Sequence, residues 1–409
     1  MKNLKTVFAI AAVMIGASFT ADAQTWWPQT SNSTDNLRTI TFIDLFNGVA
    51  FGDTLSAFVE TSNQGNTWSA SYPSFSEGDL YSSSYLNGNT IVAVGSHDVL
   101  GGKGLVIKTT DNGATWTANT NIPEKIFDVS FVNSTQGWIS GENGYIARTA
   151  DAGVNWLQLN TGTGEDIFSV DFVNENEGWA VGTVAGEAVI LHTSNGGTNW
   201  SPQSSNITNP LFSVFFIDNL TGWAVGELGN ILATSNGGAS WIAQTSGITN
   251  DLNDVYFINT MKGWAVGTNG TVLKTTDGGA NWLAETSGTT RDINSVYMRN
   301  DSLGWFCGDN GTIHVYGYDL PNSLTELSSK NQISIYPNPA GESFTISVDG
   351  QEGDWTVSIY DIKGELVREQ TVVNNSTLTV AKEKLSNGVY NLRISFGQGQ
   401  IQNRKVVFN

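Results

Sequence analysis

Cysteine is almost absent from this chain, so intramolecular disulfides play no part in its fold. Cys307 is the only cysteine among 409 residues, and a disulfide needs two. The apolar sequence GWFCG around it predicts a buried, inert thiol. Proline is also scarce, with eight residues against 45 glycines. Together with frequent Trp, Phe, Val and Thr, this composition predicts an all-β fold of short strands joined by tight turns.

Positive charge is lacking as well. The whole chain has 19 Lys and Arg against 38 Asp and Glu, a net charge of −19. Within residues 24–329, nine basic residues stand against 29 acidic ones. Because binding to phosphates requires concentrated cations, this balance argues against a nucleic-acid partner.

Apolar runs long enough to cross a bilayer are missing too. Near the N-terminus, Lys2 and Lys5 precede a short apolar run over residues 7–17, and Ala21-Asp22-Ala23 follows it. This order is typical of a secretory signal peptide with an A-x-A cleavage site. We therefore predict a signal peptide over residues 1–23 and a mature chain that begins at Gln24.

Two short words repeat along most of the chain. The octet T-x-[DN]-x-G-x-x-W occurs six times, ending at Trp68, Trp116, Trp156, Trp200, Trp241 and Trp282. A second word, GWAVG or a variant of it, precedes each octet and occurs a seventh time as GWFCG, where no octet follows. Alternating apolar residues around these words predict four antiparallel strands in about 41 residues.

The incomplete seventh copy indicates how the repeats are arranged. A stack of such units forms either an open row or a closed ring. The segment after the signal peptide, TWWPQTSNSTDNLRTITFID, matches TNWSPQSSNITNPLFSVFFID of a complete repeat, with Trp27 aligned to Trp200. We therefore predict a seven-bladed β-propeller over residues 24–318, closed by an N-terminal strand.

These words carry a resemblance to known families. The octet resembles the Asp-box (BNR) repeat of sialidases, sortilin-type receptors and xyloglucanases, and its pairing with GWAVG is similar to the photosystem II stability and assembly factor propellers. That resemblance covers about residues 25–320 and implies seven blades. It also implies docking to photosynthetic protein through a basic patch, but Arg38, Arg148, Arg291 and Arg299 are the only arginines of this propeller. We carry over the fold and not the role.

The C-terminal residues have a different character. Residues 319–332 are polar and predicted to be a linker, and residues 333–409 show alternating strands of a small C-terminal β-sandwich domain. The sequences YPNP, YDIKG, NGVY and the pair Arg404-Lys405 resemble the type A sorting domain of the Bacteroidetes type IX secretion system. The resemblance implies carriage across the outer membrane by the type IX machinery, removal of this domain, and release or surface attachment of the rest.

Catalysis is not expected. A sialidase needs three converging arginines, a tyrosine nucleophile and an acid, and a xyloglucanase places two aspartates in a cleft between two propellers, whereas this chain has one. Each octet offers one carboxylate or an asparagine, against the six to eight oxygens that calcium prefers. We therefore predict no catalytic residue, no cofactor and no metal.

One face of the propeller is predicted to be acidic. The turn after each GWAVG word opens on the same side as the connections between blades, and both are rich in Asp and Glu. Ordinary turn chemistry explains much of this pattern, but a ligand site on this face is the functional alternative. An inserted loop over residues 96–104 adds the only His-Asp pair. The candidate ligand-binding residues are His97, Asp98, Asp53, Glu142, Glu227, Asp309, Asp251 and Asp292.

The predicted function follows from these parts. We expect a secreted or cell-surface, non-enzymatic, monomeric propeller that binds a protein or carbohydrate partner and reaches the outer-membrane surface only through the sorting pathway. A secreted glycan hydrolase of the xyloglucanase or sialidase type, and an adhesion or structural surface element, are the alternatives.

Overall fold

The computed structural model describes residues 24–53, 57–71, 78–97, 101–317, 333–338, 340–348, 353–361, 365–373, 375–383, 385–396 and 401–408. The predicted signal peptide and linker lie outside these ranges. Seven four-stranded antiparallel sheets fill the part before residue 318. No helix of the described residues is long and apolar enough to span a membrane.

The seven sheets are blades 1 to 7, each named from its innermost strand outward. Blades 1 to 4 consist of β2 (Leu37–Phe42), β3 (Gly48–Gly52), β4 (Phe58–Thr61) and β5 (Ser69–Ser71); β6 (Gly78–Asn87), β7 (Thr90–His97), β8 (Lys103–Thr109) and β9 (Thr117–Ile122); β10 (Ile126–Phe131), β11 (Gly137–Gly141), β12 (Ile146–Thr149) and β13 (Leu157–Leu159); and β14 (Ile167–Phe172), β15 (Gly178–Val184), β16 (Glu187–Thr193) and β17 (Ser201–Gln203). Blades 5 to 7 consist of β18 (Leu211–Phe216), β19 (Gly222–Gly226), β20 (Ile231–Thr234) and β21 (Ile242–Gln244); β22 (Leu252–Phe257), β23 (Gly263–Gly267), β24 (Thr271–Thr275) and β25 (Leu283–Ala284); and β26 (Ile293–Asn300), β27 (Leu303–Gly308), β28 (Thr312–Gly317) and β1 (Thr25–Thr30).

The innermost strands of the blades form a closed ring. Each contacts the innermost strand of the next blade, from β2 through β6, β10, β14, β18 and β22 to β26, and β26 contacts β2. Strand β1 pairs antiparallel with β28 as the outermost strand of blade 7. The predicted seven-bladed propeller, closed by an N-terminal strand, is thereby confirmed.

The predicted alignment of that closing strand is wrong by one residue. Trp27 lies opposite Val315, as Ser201 lies opposite His192 in blade 4. Pro28-Gln29 of β1 and Pro202-Gln203 of β17 therefore occupy equivalent positions. In this register Trp26, and not Trp27, takes the position of the octet tryptophan Trp200.

Burial and hydrogen bonding of Trp26 agree with that register. Trp26 is only 3% exposed, and its Nε1 donates to Glu285 Oε2 of blade 6 at 3.1 Å. The octet tryptophans Trp241 and Trp282 make the same bond to Gln203 and Gln244 of the blades before theirs, at 3.0 Å each.

Aromatic stacking joins neighbouring blades. The tryptophan of a GWAVG word lies flat on an aromatic ring from the innermost strand of the next blade, with centroids 3.4–3.7 Å apart, in four pairs: Trp138–Phe172, Trp179–Phe216, Trp223–Phe257 and Trp305–Phe42. The octet tryptophan of that next blade meets the same phenylalanine edge-on, as Trp282 does Phe257 at 5.9 Å. The first glycine of the word is required because a Cβ on Gly263 would lie 2.4 Å from the Phe257 ring.

The C-terminal part contains two further sheets. The first has β29 (Ile333–Tyr336), β30 (Ser343–Val348) and β33 (Thr377–Ala381) in that order, and the second has β32 (Leu366–Val372), β31 (Trp355–Tyr360), β34 (Gly388–Phe396) and β35 (Ile401–Phe408). Apolar residues of both sheets, among them Phe344, Trp355 and Phe408, form one buried cluster. Two sheets with a shared core are the arrangement expected of a β-sandwich.

Ring closure predicts that two glutamines in equivalent positions contribute equally to stability. Trp68 Nε1 donates to Gln29 Oε1 across the junction of blades 7 and 1 at 3.1 Å, as Trp241 donates to Gln203. We expect Gln29→Leu and Gln203→Leu each to lower the free energy of unfolding by about 1–3 kcal/mol, since each leaves a buried indole N–H unpaired. Urea denaturation followed by tryptophan fluorescence measures this, and an unaffected Gln29→Leu variant would contradict closure.

Candidate functional site

The propeller has two chemically different faces. Turns between the second and third strands of a blade bond to the connections between blades: Asn143 N, Leu228 N and Asn269 N donate to Asp166, Asp251 and Asp292 at 2.8–3.0 Å. We call this side the acidic face. The octet turns bond instead to the turns between the first and second strands, as Gly237 N does to Leu220 O at 2.8 Å, and they form the octet face.

Asp251 and Asp292 have a structural role within the acidic face. Each precedes the innermost strand of a blade, and its carboxylate accepts the amide of a turn residue in the preceding blade. Those turn residues, Leu228 and Asn269, have φ near +55°, a left-handed conformation that exposes the amide. The two predicted ligand residues therefore act as caps that join consecutive blades.

Asp53 and Asp309 meet at the junction of blades 1 and 7. Arg38 Nη2 lies 2.8 Å from Asp53 Oδ2, and Arg38 Nη1 lies 3.7 Å from Asp309 Oδ1. Asn36 donates to Asp53 through its backbone amide and its side chain, at 3.1 and 3.0 Å. The structure therefore brings these two predicted residues together, but around a cation of the chain's own.

Glu142 and Glu227 lie on the rim without a basic partner at salt-bridge distance among the described residues. Glu227 Oε2 accepts only a neutral donor, Asn209 Nδ2, at 2.9 Å. Partial burial raises the pKa of Glu142, and the nearby carboxylates of Asp166 and Glu124 raise it further, whereas Lys125 lowers it. Neither carboxylate is part of an ion pair in the described part of the chain.

The predicted His97-Asp98 pair is described only in part. His97 ends β7 and pairs with Gly78 and Lys103, and its Nδ1 is buried without a hydrogen-bond partner in the described part of the chain. Asp98 lies outside the described residues. The role of this loop stays a prediction.

A central channel, which the sequence reasoning missed, opens on the acidic face. In every innermost strand the pairing register shifts by one residue near the start of the strand. The bulged residues form a ring around the channel mouth, namely Arg38, Tyr81, Phe127, Phe168, Phe212, Asn253 and Asn294. These residues and the next ones along each strand line a cavity of about 160 Å³.

Four of the seven mouth residues form a continuous aromatic arc. Ring centroids lie 6.3 Å apart for Tyr81 and Phe127, 5.4 Å for Phe127 and Phe168, and 5.8 Å for Phe168 and Phe212. Lys125 Nζ lies 4.7 Å from the Tyr81 centroid and 5.8 Å from that of Phe127. One end of the arc therefore already holds an ammonium group by cation–π contact.

Carboxylates line the channel below the arc and link blades. Asp128 accepts from the hydroxyls of Ser82 and Ser169, one on either neighbouring blade, at 2.7 and 2.8 Å. Asp254 accepts from Ser213 Oγ at 3.0 Å and from Val296 N at 2.9 Å in the same manner.

A third carboxylate, Asp171, lies deeper in the channel. It accepts from Phe216 N at 2.7 Å. Burial raises the pKa of all three carboxyls, to about 7 for Asp171 and about 6 for Asp254.

One sequence signal could have revealed the arc. The innermost strands of blades 3, 4 and 5 begin IFDV, IFSV and LFSV, with two large apolar residues in succession where a half-buried strand should alternate. A doubled apolar residue at a strand start indicates a bulge that turns one side chain away from the core. No group of three or more His, Cys, Asp or Glu among the described residues could hold a metal ion.

Comparisons with known proteins find a matching family model for each of the two parts of the chain. The family model for the photosynthesis system II assembly factor YCF48 matches residues 117–205 and 243–338. The propeller is YCF48-like. A second family model, the secretion system C-terminal sorting domain, matches residues 334–409, so a sorting domain follows the YCF48-like propeller. None of the curated proteins matches the chain.

Solved structures agree on the fold. A structure of YCF48 bound to D1 peptide has a TM-score of 0.61 and 20% identity, covering 73% of this chain and 96% of that one. YCF48 from Cyanidioschyzon merolae has a TM-score of 0.60 and 18% identity, covering 72% and 99%. The WD40 β-propeller domain of Doa1 has a TM-score of 0.59 at 11% identity, covering 74% and 100%. At such identities the likeness establishes the fold of the YCF48-like propeller and no more.

The raised pKa of Asp171 predicts a pH dependence of stability. Its pKa is about 7 in the folded protein against an ordinary value of 3.8, so between these values the folded state binds more protons than the unfolded state, and the free energy of unfolding falls as pH rises. We expect Asp171→Asn to reduce that fall by about 1–4 kcal/mol. Urea denaturation at pH 5 and pH 8 measures it, with exposed Glu175→Gln as the control. An unchanged slope in Asp171→Asn would contradict the assignment.

Proposed function

We propose that this chain is a secreted, non-enzymatic propeller that binds an extended, positively charged segment of a partner protein across its acidic face. The observation that carries the proposal is the coincidence, on one face, of rim carboxylates with a half-buried aromatic arc. Such a surface combines attraction for cations with apolar contact area. The sorting domain supports export of the propeller as its cargo.

Charge favours a basic partner segment over a neutral glycan. The described acidic residues of this face are Asp35, Asp53, Asp79, Glu124, Glu142, Glu165, Asp166, Glu187, Glu227, Asp251, Asp292 and Asp309, against Arg38, Lys103, Lys125 and Arg291. Carboxylates that surround a common opening attract cations over several ångströms and raise the rate of encounter. A neutral sugar chain would gain nothing from this field.

The comparison with solved structures supports a peptide as the kind of ligand. One of the similar structures is YCF48 bound to D1 peptide, so a propeller of this fold can have a peptide as its ligand. The chemistry of the segment differs here, because this propeller has four arginines and a strongly acidic face. We therefore propose a peptide as the class of ligand for this chain, but not the D1 sequence itself.

The absence of catalysis is part of the proposal. A retaining or inverting glycosidase places two carboxyl groups on either side of a bond in an open cleft. The channel carboxylates Asp128, Asp171 and Asp254 are instead bound by serines and backbone amides of the neighbouring blades. These hydrogen bonds hold the three carboxylates in the ring that joins the blades.

The rim carboxylates predict a specific pattern of binding losses. The test peptide is a 12-residue segment of alternating lysine and serine, titrated by fluorescence polarisation. We expect Glu142→Gln and Glu227→Gln each to weaken binding about threefold and the double variant about tenfold, since exposed ion pairs contribute about 0.2–1 kcal/mol each. Binding should also weaken with salt.

Glu175→Gln is the matched control for that titration. Glu175 is an exposed glutamate in a turn of the octet face, so its neutralisation changes net charge equally without touching the acidic face. An equal loss in this variant, or binding that does not respond to salt, would contradict the proposal.

The sorting domain predicts processing during export. In a bacterium with type IX machinery, we expect the extracellular form to lack residues 333–409 and a variant without these residues to stay in the periplasm. Mass spectrometry of the two fractions measures this. Thermal unfolding of the truncated variant checks that its propeller is folded. An extracellular form that still ends at Asn409 would contradict the assignment.

A further inference from the structure

The channel mouth combines three features that no part of the proposed function uses fully. It is a cavity for one small group, it is bordered by aromatic faces, and its floor consists of carboxylates and hydroxyls. Its volume of about 160 Å³ is well above the roughly 10–15 Å³ that one water molecule needs. A volume of this size admits a side chain but not a folded domain.

Half of the aromatic arc lacks a cation. Lys125 lies over Tyr81 and Phe127, whereas no lysine or arginine among the described residues lies over Phe168 or Phe212, which continue the arc at 5.8 Å. The ring faces of Phe168 and Phe212 have the same quadrupole that holds the Lys125 ammonium. The chain itself therefore places an ammonium group beside this arc, where the Tyr81 hydroxyl also interacts with it.

The floor of the cavity carries negative charge that the lining does not neutralise. Asp128 and Asp254 line the cavity together with Arg38, the only cation of the lining, and Arg38 is already paired with Asp53 and Asp309 at the rim. The hydrogen bonds to Asp128 and Asp254 come from neutral serine hydroxyls and backbone amides. An incoming cation would thus meet a desolvated, uncompensated field.

An apolar side chain is a poorer occupant than a cationic one. Filling the cavity with an alkyl or neutral group removes channel water from Asp128 and Asp254 and returns no charge, which leaves two buried carboxylates worse solvated. An ammonium group removes the same water but interacts with those carboxylates directly. A lysine also places four methylenes against the aromatic rings while its charged end reaches the floor.

We infer that the channel mouth is a pocket for one lysine side chain of the partner segment, with its methylenes against Phe168 and Phe212 and its ammonium above Asp128 and Asp254. This inference rests on the proposed function, because it names the side chain of the partner segment that the acidic face would recognise. The pocket would give the face a position of specificity that charge alone lacks.

The first test uses n-butylammonium chloride, which has the four carbons and the charge of a lysine side chain. It is titrated into the full chain, and binding is followed by saturation-transfer NMR. We expect n-butylammonium to bind at least about tenfold more tightly than n-butanol, which has the same four carbons but no charge. Phe212→Leu and Asp254→Asn should each weaken n-butylammonium binding about three- to tenfold. Phe215→Leu, which removes an aromatic ring at the opposite end of the same strand, β18, should leave it unchanged. Thermal unfolding of each variant checks that the ring is intact.

The second test separates the pocket from the rest of the face. The 12-residue lysine peptide is compared with versions in which one central lysine is replaced by norleucine or by Nε-acetyl-lysine. In the unaltered propeller this replacement should lower the affinity of the peptide. We expect that difference in affinity to vanish in Phe212→Leu and to persist in Glu142→Gln, because only Phe212 belongs to the pocket that the lysine occupies.

The outcomes distinguish this inference from the proposed function. Salt-dependent peptide binding with equal affinity for the norleucine version, or equal binding of n-butanol and n-butylammonium, overturns the lysine pocket and leaves the proposed function standing. Binding of n-butylammonium with no affinity for any basic peptide overturns the proposed function instead.

Discussion

The propeller depends on one repeated contact, a tryptophan of one blade lying flat on an aromatic ring of the next. The four Trp–Phe pairs have centroids within 3.7 Å, and each such pair is worth about 0.5–1.5 kcal/mol beyond the area it buries. A four-stranded blade has two apolar faces and cannot cover either alone. Trp305 on Phe42 uses this contact at the junction of blades 7 and 1, so closure relies on the same stacking as the junctions between blades 3 and 4, 4 and 5, and 5 and 6.

This packing also creates the channel. Drawing seven innermost strands together leaves an axis that their side chains must line, and the bulges turn one residue of each strand toward it. Polar groups placed there must find partners. The serines and aspartates do so across blades, as Asp128 does with Ser82 and Ser169. The network therefore fixes neighbouring blades at the axis, while the tryptophans fix them farther out.

The closed ring could be predicted from the sequence because the motifs that indicate it recur from blade to blade. Seven copies of one word against six of another, with a matching segment at the N-terminus, define blade number and closure. The exact register of β1 failed because the two adjacent tryptophans offer two alignments, and only the strand pairing with β28 selects Trp26. The faces followed from connectivity, whereas the role of Asp251 as a cap required the left-handed amide of Leu228 to be seen.

The acidic face does not offer its charge evenly. Asp53 and Asp309 are held by Arg38 at the junction of blades 1 and 7, and Asp251 and Asp292 are occupied by turn amides of blades 5 and 6. Glu142 and Glu227, on blades 3 and 5, have no lysine or arginine at salt-bridge distance among the described residues. The aromatic arc spans blades 2 to 5, so free charge and apolar surface coincide in one half of the ring. A partner segment that uses both must cross blades 3 to 5, and the channel mouth lies on that path.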